Sequence, residues 1–409
     1  MVLSAHVACV LFGLLSERAF GLRAGRAAAV VFALGLCAEL LSGRVPYDLG
    51  LAVGLGSVLA LMHDRHGLAL VLALLTSAAS PVAGAFLALV YLAWALTVWS
   101  WAQPHARALA PTGEESTARS GESPSTSRRP KSTTLPWVWP LALTLAALAP
   151  IAVLAVAFPE GGYEPFAGGA FWPALAGVVV IAALIPPGPL SLRAYRGVRI
   201  GLALYALALI GAFAIETPVG GNAARLGPEL IPALLVGVLW ERRRVALALA
   251  MPVLLYWQLN TPIGDLAEIY GQRSVHASYY APLLGELRRL TATSGGGGDV
   301  PTIVEIPLTA AHWETADVAG HDHIALARGW ERQLDTRYAP LFYASTPLTA
   351  SAYRAWLHEN RVVYVALSDA LPDYSARVET ALVAHGLPYL REVWRSRHWR
   401  LYAVDSSSR

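Results

Sequence analysis

The sequence predicts a mainly α-helical fold, a polytopic transmembrane bundle of about ten spans followed by a small α/β domain. Three observations predict it. Of 409 residues, 55% are hydrophobic and only 14% charged, a balance that no ordinary soluble domain of this length shows. The apolar residues gather into ten runs, near 2–16, 25–42, 47–62, 67–79, 82–102, 136–158, 170–189, 197–215, 228–240 and 245–258. The basic residues between those runs fall on alternate links. One set of links holds Arg18, Arg23, Arg26, Arg65, Arg107, Arg119, Arg128, Arg129, Lys131, Arg193, Arg196, Arg199, Arg242, Arg243 and Arg244, and the other only Arg44 and Arg225. Lys and Arg stay on the cytoplasmic side of short loops. The first set is therefore expected in the cytoplasm, and the N-terminus and everything after residue 258 outside it.

Taken in order, the first run, "MVLSAHVACVLFGLLSERAFG", lacks the basic n-region and small-residue cleavage site of a secretory signal, so it reads as a retained span. Several runs are shorter than the ~20 residues a helix needs to cross the hydrocarbon core. They must borrow flanking residues, cross a thinned bilayer or form part-way hairpins, which leaves the count open by one or two. Residues 1–102 form the first transmembrane half. Residues 103–134, rich in Ser, Thr, Pro, Gly and Arg, cannot bury enough apolar surface to order themselves and read as a disordered cytoplasmic linker. Residues 135–258 form the second half. Cys9 and Cys37 lie within apolar runs as small buried hydrophobes. A net charge of +3 without a basic face gives no support to a nucleic-acid partner; the partner that composition demands is the lipid bilayer, and the localisation the cell membrane.

From residue 259 to 409 the composition is that of an extracytoplasmic α/β domain. "ASYYAPLLGELRRL" has helical periodicity, "SGGGGD" is a flexible break and "VPTIVEIPL" reads as a strand. "TASAYRAWLHENR" reads as a helix, "VVYVALS" as a strand, and "SARVETALVAHG" as a helix ended by Gly386. "PYLREVWRSRHWRLYAVD" reads as a pair of strands or one bent strand.

The segment "LLSERAFGLRAGRAAAVVFALGL", the loop "GRVPYDLG" and the run "ALVLALLTSAASPVAG" resemble the early core of GT-C glycosyltransferases, of the type that transfers mannose or arabinose from polyprenyl-phosphate sugars. The blocks "TPVGGNAARLG", "SVHASYYAPLL", "HWETADVAG", "ARGWERQLDTRYAPLFY" and "YVALSDALPDYSARVE" resemble a group of actinobacterial integral membrane proteins placed with that superfamily, over nearly the whole chain. The resemblance implies an envelope transferase with a polyprenyl-phosphate-linked sugar as partner, and it allows a divalent cation as cofactor. In that family the base is an Asp or Glu on the first outward loop, after a span that runs outward. Here the first span runs inward and matches the family's second. The chain is therefore expected to begin after the usual catalytic loop, through a mis-assigned or truncated start or through loss of that residue.

Inverting sugar transfer needs a carboxylate to take the acceptor proton and cations to steady the leaving phosphate. Asp48, on the outward "RVPYDLG" beside Arg44 and Tyr47, occupies the family's second acidic loop position and is the candidate catalytic residue. It equally suits a helix cap at Leu49, with Arg44 and Tyr47 as headgroup anchors. The outward link "ETPVGGNAARLGPEL" offers Asn222 and Arg225 to a lipid-linked phosphate, Arg by its planar fork. The alternative pairs Glu216 with Arg225, turns at Gly220 and Gly221, and starts the next helix with Pro228 and Glu229. In the outer domain His312, Trp313, Glu314, Arg328, Trp330 and Glu331, with Arg332 and Asp335, combine rings and charges as a carbohydrate subsite does. They could instead brace the domain. His321 and His323 lack the further ligands of a zinc site. Ser80 and Pro81 suit a hairpin bend, and Glu160 and Glu164 are expected to be solvated. A transporter or flippase of lipid-linked glycan, or a non-catalytic assembly subunit, is the second functional class. The halves show no paired interrupted helices of the transporter kind.

Overall fold

In the computed structural model, the structure describes residues 2–41, 45–108, 137–159, 162–185, 193–241, 243–293, 301–321 and 323–405. It divides into two compact units.

Among the described residues the first unit holds ten apolar helices: α1 (Val2–Phe20), α2 (Leu22–Leu41), α3 (Val45–Met62), α4 (His66–Ala79), α5 (Pro81–Ala108), α6 (Val138–Ala157), α7 (Gly168–Leu184), α8 (Arg193–Ala214), α9 (Leu226–Leu239) and α10 (Arg244–Ile269), the last turns of which belong to the second unit. Eight stretches among the described residues are long and apolar enough to cross a membrane, one of them a 3-10 turn, Gly220–Arg225, continued by α9. The helices α4 and α7, with 14 and 17 residues, fall short of that length. Each expected run has thus become a helix, but length sorts them differently: the short runs 2–16, 228–240 and 245–258 lie in stretches long enough to span, whereas run 170–189 gives the 17-residue α7. The helix α5 continues to Ala108, so the start of the expected linker is helical; from residue 109 the linker lies outside the described residues.

Small residues let these helices approach, because in lipid the attraction between helices comes from close packing and interhelical hydrogen bonds. A Cβ on Gly25 would lie 2.5 Å from the backbone of Glu17, which is how α1 and α2 turn tightly back on each other. Ser16 Oγ donates to Gly25 O at 3.0 Å, and the Phe12 and Phe32 rings stack at 4.1 Å. Hydroxyls tie the next layer. Ser57 Oγ donates to Ala69 O at 2.6 Å and meets the Tyr91 hydroxyl at 2.6 Å, joining α3, α4 and α5. Tyr205 OH donates to Ala223 O and accepts from Gly227 N, both at 2.9 Å, which fixes the 3-10 turn and α9 against α8.

The second unit holds residues 263–409 together with the links that end at Pro165 and Pro218. Its boundary lies later than expected at 259, since α10 runs unbroken past that point. Its sheet comprises β1 (Thr302–Glu305), β2 (Ile324–Leu326), β3 (Tyr364–Ser368), β4 (Leu390–Arg395) and β5 (Trp399–Val404) in the order β2-β1-β3-β5-β4. The strands β1, β2 and β3 are parallel, and β4 and β5 form an antiparallel pair. Alternation along the strands feeds two cores. Val304, Ala366 and Leu401 pack with Tyr280, Leu283 and Leu287 of α11 (Ala277–Thr293) on one face. Val365, Leu367 and Tyr402 pack on the other with Tyr353 and Leu357 of α14 (Ala350–Glu359) and Val383 of α15 (Arg377–His385). Two shorter helices complete the unit, α12 (Glu314–Asp317) and α13 (Arg332–Tyr338). The helix α15 ends at Gly386, whose φ of 86° suits glycine. The "SGGGGD" break lies outside the described residues.

Candidate functional site

The first unit contains a cavity of about 600 Å³ lined by α1, α3, α5, α8 and α9. Its walls are apolar: Phe12 and Phe20 from α1, Leu51, Leu55 and Val58 from α3, Phe86, Val90 and Trp94 from α5, Leu202 from α8, and Leu230 and Leu234 from α9. Along α3 the lining runs from Tyr47 to Met62, roughly 22 Å at 1.5 Å per residue. The cavity is therefore a slot long enough to follow most of a hydrocarbon core.

One end of the slot is polar. Tyr47 in the first turn of α3 and Glu229 in the first turn of α9 both line it, and Tyr47 OH donates to Glu229 Oε2 at 2.5 Å. Glu229 is 2% exposed, and its second oxygen, Oε1, is buried with no hydrogen-bond partner. Glu39, Asp48 and Arg225 are its charged neighbours. Among the described lining residues Glu229 is the one carboxyl group.

The residues singled out in the sequence are distributed around this end. Asp48 is not on a loop, because α3 starts three residues before it; it is fully buried and does not line the cavity. Tyr47 does line it. Arg44 lies outside the described residues. The link "ETPVGGNAARLGPEL" is split: Glu216 is exposed and belongs to the second unit, whereas Asn222 and Arg225 sit half-buried in the 3-10 turn of the first. The link is thus two separate features joined by sequence. Ser80 caps α4 and accepts from Ala83 N at 3.3 Å, with Pro81 starting α5.

In the second unit the polar residues converge where the parallel strands end. The loops after β1 and β3 pair there, with Ala310 N donating to Leu371 O and Asp373 N to Leu308 O, both at 2.8 Å. In an open α/β sheet this is the ligand crevice; here the two loops fill it. Beneath them Arg328 grips Asp335 with two nitrogens at 3.2 and 2.8 Å, donates to Glu379 at 3.0 Å and lies 3.7 Å from the Phe342 ring centre. Arg328 and Glu314 are buried, and Glu314 is held by the amide and hydroxyl of Thr309. Both are internal braces. Arg332 forms a fork with Asp373 at 3.1 Å and lies 4.5 Å from the Tyr374 ring centre. Burial pushes the Asp373 carboxyl up, but Arg332 and Ser375 outweigh it and hold it below the usual range. Glu305, fully buried beside Glu379, is pushed well up by burial and by that neighbouring charge.

His312, Trp313, Trp330 and Glu331 behave differently. Trp313, Trp330 and Glu331 are exposed, and the His312 ring lies 6.3 Å from that of Trp330 and 3.6 Å from Asp373. Trp330, Glu331 and Arg328 line a second cavity of about 600 Å³ beside the β2 edge, with Thr315 and His323. Among the described residues no three His, Cys, Asp or Glu side chains stand close enough to hold a metal ion, so no step is assigned to a divalent cation. Glu164 N donates to Thr217 O at 3.0 Å, within the second unit.

Glu229 is the residue that sequence reasoning passed over, as a helix start. Its signal was a carboxylate inside a run destined for lipid, which is costly unless used. Compared with known protein families, with curated proteins and with solved structures, the chain has no match.

Proposed function

We propose that the protein is a multi-pass membrane transferase of GT-C type, which moves a sugar from a polyprenyl-phosphate donor to a cell-envelope acceptor, with its C-terminal domain outside the cytoplasm. The observation that carries this reading is the slot itself: an apolar cavity of about 600 Å³ ending at a buried carboxyl group and a tyrosine hydroxyl. Such a cavity suits a lipid chain with a polar head, and a carboxylate is what the reaction needs. The acceptor oxygen bonds to the sugar's C1, the C1–O bond to phosphate breaks, polyprenyl phosphate leaves, and the acceptor proton passes to the carboxylate. Exposed Trp313 and Trp330 offer ring faces for stacking sugar units. The topology is supported by the links after α6 and α8 belonging to the same unit as the chain after α10. Those three segments then share one compartment, which requires the 17-residue α7 to cross with α8.

The test is transfer of labelled sugar from decaprenyl-phosphate mannose or arabinose by membranes containing the protein. Incorporation is expected, and Leu55→Trp, which fills the slot, should abolish it. Absence of transfer together with retained lipid binding would move the reading to a carrier or an assembly subunit. Activity unchanged in Asp48→Asn would remove Asp48 from the reaction.

A further inference from the structure

We infer that the slot takes a long-chain lipid whose polar end is a hydroxyl, and that Glu229 with Tyr47 selects for it over a lipid phosphate. The inference rests on the transferase reading above and assigns the slot to the acceptor, whose hydroxyl gives its proton to the carboxylate, rather than to the polyprenyl-phosphate donor. Glu229 Oε2 accepts from Tyr47, whereas Oε1 is buried in the lining without a partner. A buried carboxyl oxygen left unpaired costs free energy that a suitable ligand recovers. Ionised, that oxygen needs a donor; protonated, it becomes a donor that needs an acceptor. A hydroxyl serves both states, because it carries one O–H and two lone pairs. An ionised phosphate offers acceptors alone and brings negative charge beside Glu229, Glu39 and Asp48, against the cation Arg225.

The shape of the slot agrees with the chemistry of its end. The lining from Leu51 to Met62 on α3 and from Val90 to Val98 on α5 is apolar apart from Thr97, and the hydroxyls of Thr97, Ser16, Thr76 and Tyr205 in the lining each donate to a backbone carbonyl. The chain is therefore expected to lie along α3 and α5 with its hydroxyl at Tyr47. The occupant is a long-chain lipid alcohol.

The experiment measures equilibrium binding of tritiated geranylgeraniol, geranylgeranyl monophosphate and the matching C20 hydrocarbon to the full-length protein in nanodiscs. The alcohol is expected to bind about tenfold tighter than either other probe, the scale of one recovered hydrogen bond. Glu229→Leu should keep hydrocarbon binding and erase the preference for alcohol. Tyr47→Phe should leave the preference in place but reduced. Leu55→Trp should weaken all three. If Leu55→Trp changes no probe's binding, the slot is not a lipid site and both readings fail. If it weakens all three but the phosphate binds as tightly as the alcohol or tighter, the hydroxyl inference alone is overturned. The wild-type ratio of alcohol to phosphate decides the matter even where Glu229→Leu does not fold.

Discussion

Arg328 in the C-terminal unit and Glu229 in the bundle are buried in opposite ways. In the C-terminal unit Arg328 and its partners form a closed set, with Asp335, Glu379 and Ser375 around the guanidinium and Tyr353 OH donating to Glu379 at 2.8 Å. In the bundle, Glu229 has one oxygen held by Tyr47 and the other facing no partner. A closed set holds a fold together, because every buried charge has its counter-charge and hydrogen bonds. A carboxyl group left half open in an apolar slot is poor structural design and good ligand chemistry. The difference teaches that the density of polar residues in a sequence does not mark the site: "ARGWERQLD" is rich in charge and mostly braces, whereas Glu229 is a single acid in an apolar run.

The comparison can be broken most forcefully at Arg328. Removing it in Arg328→Ala strands Asp335 and Glu379, and should cost about 3–5 kcal/mol of stability in the C-terminal unit, read by urea unfolding followed through tryptophan fluorescence. Arg328→Lys should recover little of this, because an ammonium cannot span both carboxylates as the fork does. A loss under 1 kcal/mol would mean that the set is not closed.

On the bundle side, Tyr47→Phe removes the donor to Glu229 while keeping the ring, which packs edge-on to Phe86 at 6.2 Å. The expected cost is about 2 kcal/mol, measured by reversible SDS unfolding. It should shrink when a lipid alcohol is present, and a loss indifferent to every lipid would make Glu229 another structural brace.

Glu305 lies beside that closed set but outside it: both its oxygens are buried without a hydrogen-bond partner, and it lines neither cavity. In the unfolded chain a glutamate ionises near pH 4.3; in the fold it keeps its proton well above that. Its contribution to stability is thus fully present below about pH 4 and is lost as pH rises through the folded value. Glu305→Gln, which needs no ionisation, should raise stability by about 1 kcal/mol at pH 8 and change nothing at pH 4. Asp373 has the opposite sign: its depressed carboxyl supports the fold above the unfolded value near pH 3.9 and loses that support as pH falls through the folded one.

The smallest effect belongs to the surface. The Arg395 and Glu392 pair, at 2.7 Å on β4, is solvent-exposed, so Glu392→Ala should change stability by less than ~0.5 kcal/mol. A larger loss would show that ion pairs outside the buried cluster also carry the fold.

Much of the architecture was legible in the residues. The ten helices followed from runs of apolar side chains, because a segment that cannot hydrogen-bond to lipid must satisfy its own backbone. The strands β1 and β3 followed from alternation and β-branched runs, whereas the segment of β4 and β5, open between a pair and one bent strand, is an antiparallel pair. The strand β2 has three residues, Ile324–Leu326, too few for a period to register, and α12 and α13 carry no apolar stripe of their own. Sheet order depended on which strands meet, as in the pairing of Thr302 with Ile324. Of the candidate site, Tyr47 was found by its place in "RVPYDLG", and Asp48 was named where the chain in fact buries it.

By itself the sequence determined the ten apolar helices and the α/β character of the remainder, since hydropathy and periodicity are local and need no partner to be read. Tertiary structure alone decided that Glu229 lines a cavity with one oxygen unpaired and that Arg328 is enclosed by its partners. The partner of Glu229 lies 182 residues away, and whether a buried charge is satisfied depends on what the fold brings within 3 Å of it, not on its neighbours along the chain.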